Sequence, residues 1–353
     1  MTDAARPLLF IAIVIMAVKL FFPAVPFAAT PADGGKRDVQ HAIELWKSGD
    51  VDGALELLNK STESGGSAEA YHLLGKIYFK AKKKPREAAD ALTHALKLKP
   101  AYPDALNDLA EVYLAQGKAA EAEQTLKRAI EVDPRHEDSY LDLARLYEGR
   151  QDISAAMQVY QRLLTVRPNS AEGLFGLALL HERQGNSDSQ REVLRRLTKA
   201  HPTHADGWYQ AGRLAERNND LLEAAYAYRQ AIAAKPNLVD AHFNLGFILR
   251  SQNKPNEAER EFLEVIRYRP EYAEAHMNLG VIYTSMNKLD EAEQEYEKAV
   301  VLKPDYAEAH YNLGVFYELH RKDMPRALAQ YHKYRNLGGR DDRVERIIGT
   351  AGR

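Results

Sequence analysis

Three histidines, His242, His276 and His310, recur at intervals of 34 residues, and Asn244, Asn278 and Asn312 accompany them at the same interval. A histidine series invites a metal reading. Equivalent residues on stacked helices are separated by about 8–10 Å, whereas one zinc ion needs its nitrogens at about 2.0–2.1 Å. The three histidines therefore cannot share an ion and are read as residues at the rim of a core, with no metal site. The asparagines suggest different chemistry. Each side-chain amide offers both a donor and an acceptor, so a line of them suits the backbone of an extended polypeptide. Motifs for catalysis are missing: there is no HExxH, no phosphate-cradling glycine-rich loop and no GxSxG, and "HERQG" at His181 is not a protease motif. Cysteine is absent, which removes thiolate metal sites and a cysteine nucleophile. No catalytic residue and no cofactor is expected, so the chain is read as a protein that is not an enzyme.

The elements that position these residues follow from the prolines at 100, 134, 168, 202, 236, 270 and 304, six successive intervals of 34. A fixed period of this size signals stacked repeats. Within the unit that starts at Ala273, Leu279, Gly280 and Tyr283 share one helical face, "MNKLD" interrupts it, and Ala292, Tyr296 and Ala299 form a second face that Pro304 ends. Each unit is thus a pair of helices. Counting from the first residue of the unit, small residues at positions 8 and 20 allow the two backbones to approach closely.

This pattern resembles the tetratricopeptide-repeat family, which has a large residue at position 4, Leu at 7, Gly or Ala at 8, Tyr at 11, Ala at 20, an aromatic residue or Leu at 24, Ala at 27 and Pro at 32. Trp208, Ala211, Gly212, Ala215, Ala224, Tyr228, Ala231 and Pro236 follow it, as do Leu106, Leu109, Ala110, Tyr113, Ala122, Leu126, Ala129 and Pro134. The resemblance implies an all-α fold, a right-handed superhelical solenoid of stacked antiparallel helix pairs. Eight units cover 68–340, the first with an extra residue near Lys82–Pro85 and the last with one near Met324. A degenerate capping repeat occupies 39–67, and 341–353 is read as a capping helix and tail. The unit from Ala171 carries Gln190 and Leu197 where small residues are usual; it is expected to be the weakest joint, unless local repacking absorbs both.

Positions 2, 5, 6, 9, 12 and 13 of each first helix lie opposite the core-facing side; in the family this face lines the concave groove. At positions 5 and 9 the early units carry polar residues, and the later ones carry Phe175, Tyr209, Phe243 and Phe247, Met277 and Val281, Tyr311 and Val315. With the asparagines of position 6, these residues are the expected contacts for a protein or peptide partner in the groove. The alternative for position 5 is packing against the adjoining unit. Position 2 is acidic in all eight units; an acidic stripe for basic partners is one reading, but favourable placement at a helix start explains all eight without any partner. The family's clamp for carboxylate-ended chaperone tails needs Lys or Arg at such positions, which this array lacks.

Pro7–Ala29, "PLLFIAIVIMAVKLFFPAVPFAA", is apolar enough for a membrane helix of about 20 residues. Lys19 near its middle costs about 2.5–3.5 kcal/mol there. Leu8–Val18 also suits the core of a signal peptide, with Thr30–Ala32 as the tolerable cleavage region. Residues 1–29 are read as an anchor or a cleaved signal and 30–38 as a linker, so the chain is expected to be membrane-anchored or exported, in the periplasm or cell envelope if bacterial. The basic turn Lys76–Arg86 lies close to this segment and suits either anionic lipid or solvent. The formal net charge of −2 in 353 residues gives no basic excess for nucleic acid. A scaffold that assembles or localises an envelope complex is the main functional expectation. An accessory subunit of polysaccharide or glycosylation machinery, its aromatics stacking on sugar, is the alternative, and self-association through the apolar face is open.

Overall fold

A computed structural model describes residues 31–351. Two units separate at Pro100. In the first, α1 (Pro31–Lys47), α2 (Val51–Glu63), α3 (Ala68–Lys80) and α4 (Pro85–Leu98) bury Ala42, Ala54, Leu58, Ala70 and Ile77 in one core. The second unit contains α5 (Pro103–Ala115), α6 (Ala119–Val132), α7 (Glu137–Gly149), α8 (Ile153–Val166), α9 (Ala171–Arg183), α10 (Ser187–Ala200), α11 (Ala205–Arg217), α12 (Leu221–Ala234), α13 (Val239–Ser251), α14 (Pro255–Tyr268), α15 (Ala273–Ser285), α16 (Leu289–Leu302), α17 (Ala307–Phe316), α18 (Met324–Asn336) and α19 (Asp342–Ala351). Among the described residues there is no strand, and within each of the two units each helix packs on the next in sequence.

The reading of 30–38 as a linker needs correction: residues 31–38 form the first turns of α1. Pro31 occupies the first turn, where its missing N–H costs nothing, and the stretch runs in helical phase into Val39, Ala42 and Trp46. The anchor or signal read in residues 1–29 lies outside the described residues. Among the described residues no helix is long and apolar enough to cross a membrane.

The helix pairs close on a steric fit. A Cβ added to Gly212, Gly280 or Gly314 at position 8 would come within 2.6 Å of the position-24 ring, Tyr228, Tyr296 or Tyr331. Between the two helices the chain turns through a left-handed residue at position 15: Gly117, Gln151, Gly185, Asn219, Asn253 and Asn287 all have positive φ. Glycine and asparagine tolerate this region best.

Two units carry one residue more than the rest. In the first array unit the extra residue lengthens the turn to four residues, Ala81–Lys84, with Lys83 at φ 55°. In the last unit it is not near Met324. Tyr317–Arg321 forms a π-helical turn at the end of α17, which absorbs the added residue before Lys322 turns the chain. In the unit from Ala171, Gln190 and Leu197 are both accommodated in the core, but the Gln190 Nε2 and the His181 Nδ1 are buried without a hydrogen-bond partner.

Candidate peptide-binding face

The three histidines have a structural task. In each, Nε2 donates to the carbonyl of the proline six residues earlier: His242 to Pro236 at 3.0 Å, His276 to Pro270 at 2.8 Å and His310 to Pro304 at 3.0 Å. Tyr140 and Trp208, also at position 4, make the same bond to Pro134 and Pro202. The last carbonyls of a helix lack intrahelical donors, so a polar position 4 satisfies the end of the preceding unit. The second nitrogen faces Glu261, Glu295 or Gln330 of the partner helix. A carboxylate only accepts, so both nitrogens of His242 donate. Burial pulls its pKa down, but the bonds to Glu261 and Pro236 outweigh that and hold it above the ordinary histidine value. Among the described residues no group of side chains is arranged to hold a metal ion.

The asparagines do not form an open ladder. Asn278 is 3 % exposed, with its Nδ2 bonded to the Glu274 carbonyl of its own helix and its Oδ1 buried without a partner. Asn244 donates to the Tyr228 hydroxyl at 3.1 Å, and Asn312 to the Met277 sulfur at 3.4 Å. Met277 is likewise buried. Met277 and Asn278, expected among the partner contacts, are thus buried: position 5 of α15 lies under α17, whose Asn312 reaches back to it.

The other position-5 rings lie at the joints between units, half-buried. Phe175 packs on His204 with centroids 5.2 Å apart. Phe243 meets Phe262 of its own unit at 5.6 Å and Tyr272 of the next at 5.2 Å, both edge-on. Tyr209 contacts Tyr228, and Tyr311 contacts Tyr334. Position 9 differs. Phe247 is 44 % exposed, and Val281 and Val315 are half-buried at the equivalent points of α15 and α17. Position 9 thus carries an apolar row with one exposed member, Phe247, flanked by the half-buried Phe243, Asn244, Tyr311 and Asn312.

Four of the eight position-2 acids are paired: Glu69 with Lys99, Asp104 with His136, Asp240 with Arg269 and Glu274 with Lys303. Lys99, Arg269 and Lys303 cap the ends of second helices and His136 caps the start of α7, so these four acids are compensated by the chain itself.

A position-12 residue was missed in the sequence. Tyr160, Tyr228 and Tyr331, all at position 24, donate to Glu148, Glu216 and Glu318 at position 12 of the same unit. In the unit from Val239 the ring is Phe262, without a hydroxyl, and position 12 is Arg250. The recurrence of glutamate with a tyrosine 12 residues on, or 13 in the lengthened last unit, was the available signal.

Residues 281–320 match a family described as TPR repeat, and 81–146, 115–173, 171–214, 205–238 and 227–260 match families described as tetratricopeptide repeat. No protein of curated function matches the chain. Among solved structures, the chain is similar to MamA from Desulfovibrio magneticus RS-1 (21 % identity, TM-score 0.45, covering 48 % of this chain and 94 % of that one). It is also similar to YrrB, described as a TPR protein with an unusual peptide-binding site (21 % identity, TM-score 0.48, 53 % and 96 %). A tetratricopeptide repeat protein from Parabacteroides merdae ATCC 43184 gives 18 % identity and a TM-score of 0.44 over 70 % and 97 %.

Proposed function

We propose that this chain, which belongs to the tetratricopeptide-repeat family, is a non-catalytic scaffold that holds an extended segment of a partner protein along the uncovered side of α13, α15 and α17. The observation that carries the reading is the row Phe247, Val281 and Val315. Three apolar side chains stand at one position of three successive units, and the largest of them is exposed to water. Burying a side chain of this size stabilises a complex by about 1.5–3 kcal/mol, and contiguous apolar surface marks interaction sites. An extended chain laid across the row meets one apolar side chain per unit.

A photo-crosslinking residue tests this directly. Placed at Phe247 it is expected to capture polypeptide in intact cells; placed at Leu222, which is exposed on α12, it is not. Equal capture at both positions, or adducts only with lipid or glycan, removes the reading. Adducts with a second copy of the chain make the face a self-association site, which light scattering then confirms. The carbohydrate alternative has weaker support, because stacking on sugar needs an open ring face and Phe247 alone among these rings is exposed.

The apolar run Pro7–Ala29 supports attachment to, or export across, a membrane, and with it a role in assembling or localising an envelope complex. Alkaline extraction of membranes checks this: the full chain should stay in the pellet if the run is an anchor, and a chain starting at residue 31 should not.

A further inference from the structure

Arg250 differs from the other arginines of its surroundings. Within the second unit, the arginines on the first helices and the π turn all pair with acids: Arg145 with Asp142, Arg183 with Glu148, Arg213 and Arg217 with Glu182, and Arg321 with Asp290 and Glu293. Arg250 is half-buried on α13 and, among the described residues, has neither a carboxylate within 4.0 Å nor a hydrogen-bond acceptor. Its close contact is the ring of Phe247, which its guanidinium overlies at 4.9 Å.

The repeat explains how this cation comes to be free. In the units from Glu137, Ala205 and Ala307, position 12 is a glutamate that accepts the position-24 tyrosine hydroxyl. In the unit from Ala273 a threonine, Thr284, meets Tyr296 at 3.4 Å. In the unit from Val239, Phe262 removes the donor and Arg250 removes the acceptor together. The change abolishes an internal bond and leaves a positive charge on the face that carries the apolar row.

Glu308 is the carboxylate that acts on it, from beyond 4.0 Å and without forming an ion pair. Burial lowers the Arg250 pKa, and Glu308 with the hydroxyls of Tyr296 and Tyr306 pushes the other way without restoring it. A guanidinium does not give up its proton to escape such a site. It stays charged and partly desolvated, which favours any incoming carboxylate. Its planar fork donates to both oxygens of a carboxylate at once, and the Phe247 ring holds that plane through cation–π attraction.

We propose that Arg250 and Phe247 form a carboxylate-reading subsite, which selects partner segments carrying an Asp or Glu beside the apolar residue seated on the Phe247–Val281 row. The inference rests on the groove reading above and adds the chemistry of the occupant.

The test uses the full chain in detergent micelles and a phage-displayed library of randomised dodecamer peptides. Wild type is expected to enrich peptides with an acid at a fixed distance from an apolar residue. Replacing that acid by its amide should lower affinity about tenfold or more for wild type and leave R250M unaffected. R250E should select Lys or Arg at the same place. The double variant R250E/F262Y rebuilds the internal tyrosine–glutamate bond of the neighbouring units, so it keeps its helicity and unfolding midpoint while losing the acid preference. If wild type enriches apolar peptides with no acid preference, and R250M binds them equally, the subsite is overturned and the groove reading stands. If no enrichment depends on Phe247, the groove reading falls and the subsite with it.

Discussion

Tyr228 and Glu216 are joined across a helix pair, the hydroxyl donating to the carboxylate at 2.7 Å while accepting the Asn244 amide at 3.1 Å. Burial pushes the Tyr228 pKa far above the ordinary tyrosine range, and the bond to Glu216 pushes the same way, so the hydroxyl remains a donor at any physiological pH. The chain Asn244–Tyr228–Glu216 ties α13 to both helices of the unit before it. Tyr228→Phe leaves a half-buried carboxylate and an amide without their partner. The expected loss is about 1–3 kcal/mol, read as faster amide hydrogen exchange across 205–251 than in wild type. Exchange no faster than wild type would mean that water replaces the hydroxyl at no cost.

Two glycines at position 8 give a matched comparison. A Cβ on Gly280 meets Tyr296 at 2.6 Å, whereas one on Gly246 meets Phe262 at 3.1 Å. Alanine gains about 1 kcal/mol over glycine in a helix, and overpacking costs about 1–3 kcal/mol. Gly280→Ala is therefore expected to lower the thermal unfolding midpoint, and Gly246→Ala to lie near neutral. A reversed order would place the tight fit elsewhere.

The stacking was legible because its causes are local. Proline follows the second helix in seven of the eight units, small residues at position 8 admit a ring or Leu from position 24, and a strict period repeats both. The binding face was harder to read, because a wheel shows which residues point away from the core of their own unit and not which ones the next unit covers. Phe243 and Met277 occupy the same position, yet one is half-buried and the other sealed by α17. The asparagines looked like free amides because their acceptors, the Tyr228 hydroxyl and the Met277 sulfur, belong to earlier units. The extra residue of the last unit was placed near Met324, a few residues beyond the π turn Tyr317–Arg321, since a helix interior that gains one residue by a π turn keeps its apolar pattern on both sides.

The unit from Ala171 places an unpaired amide in its core. Gln190 is 1 % exposed; its Oε1 accepts from Arg217, but its Nε2 has no acceptor. Gln190→Met keeps the volume and removes the stranded donor, while Arg217 retains Glu182 at 2.7 Å. An unsatisfied buried group costs about 1–3 kcal/mol and the lost Arg217 bond offsets part of that, so a gain of about 1 kcal/mol is expected. Slower hydrogen exchange across 171–200 in the variant is the measurement. Faster exchange would show that the Arg217 bond outweighs the orphaned amide.

The same unit and the one two units further on should respond to pH in opposite directions. His181 is buried without a partner for Nδ1, and burial lowers its pKa below the ordinary value near 6.5. Below about pH 6.5 the unfolded chain takes up a proton that folded His181 refuses, so stability around α9 and α10 falls with acidification. For His242 the sign reverses. Burial acts against the charged form, but Glu261 and the Pro236 carbonyl raise the pKa on balance. Its contribution is fully present below about pH 6.5 and is lost as pH rises through the folded value. Hydrogen exchange corrected for intrinsic rates, compared at about pH 5.5 and 7.5, should show α9–α10 opening more readily at the lower pH and α13–α14 at the higher. His181→Tyr should abolish the first dependence and His242→Gln the second. If both regions respond alike in wild type and in the variants, the histidines do not govern the pH response of the array.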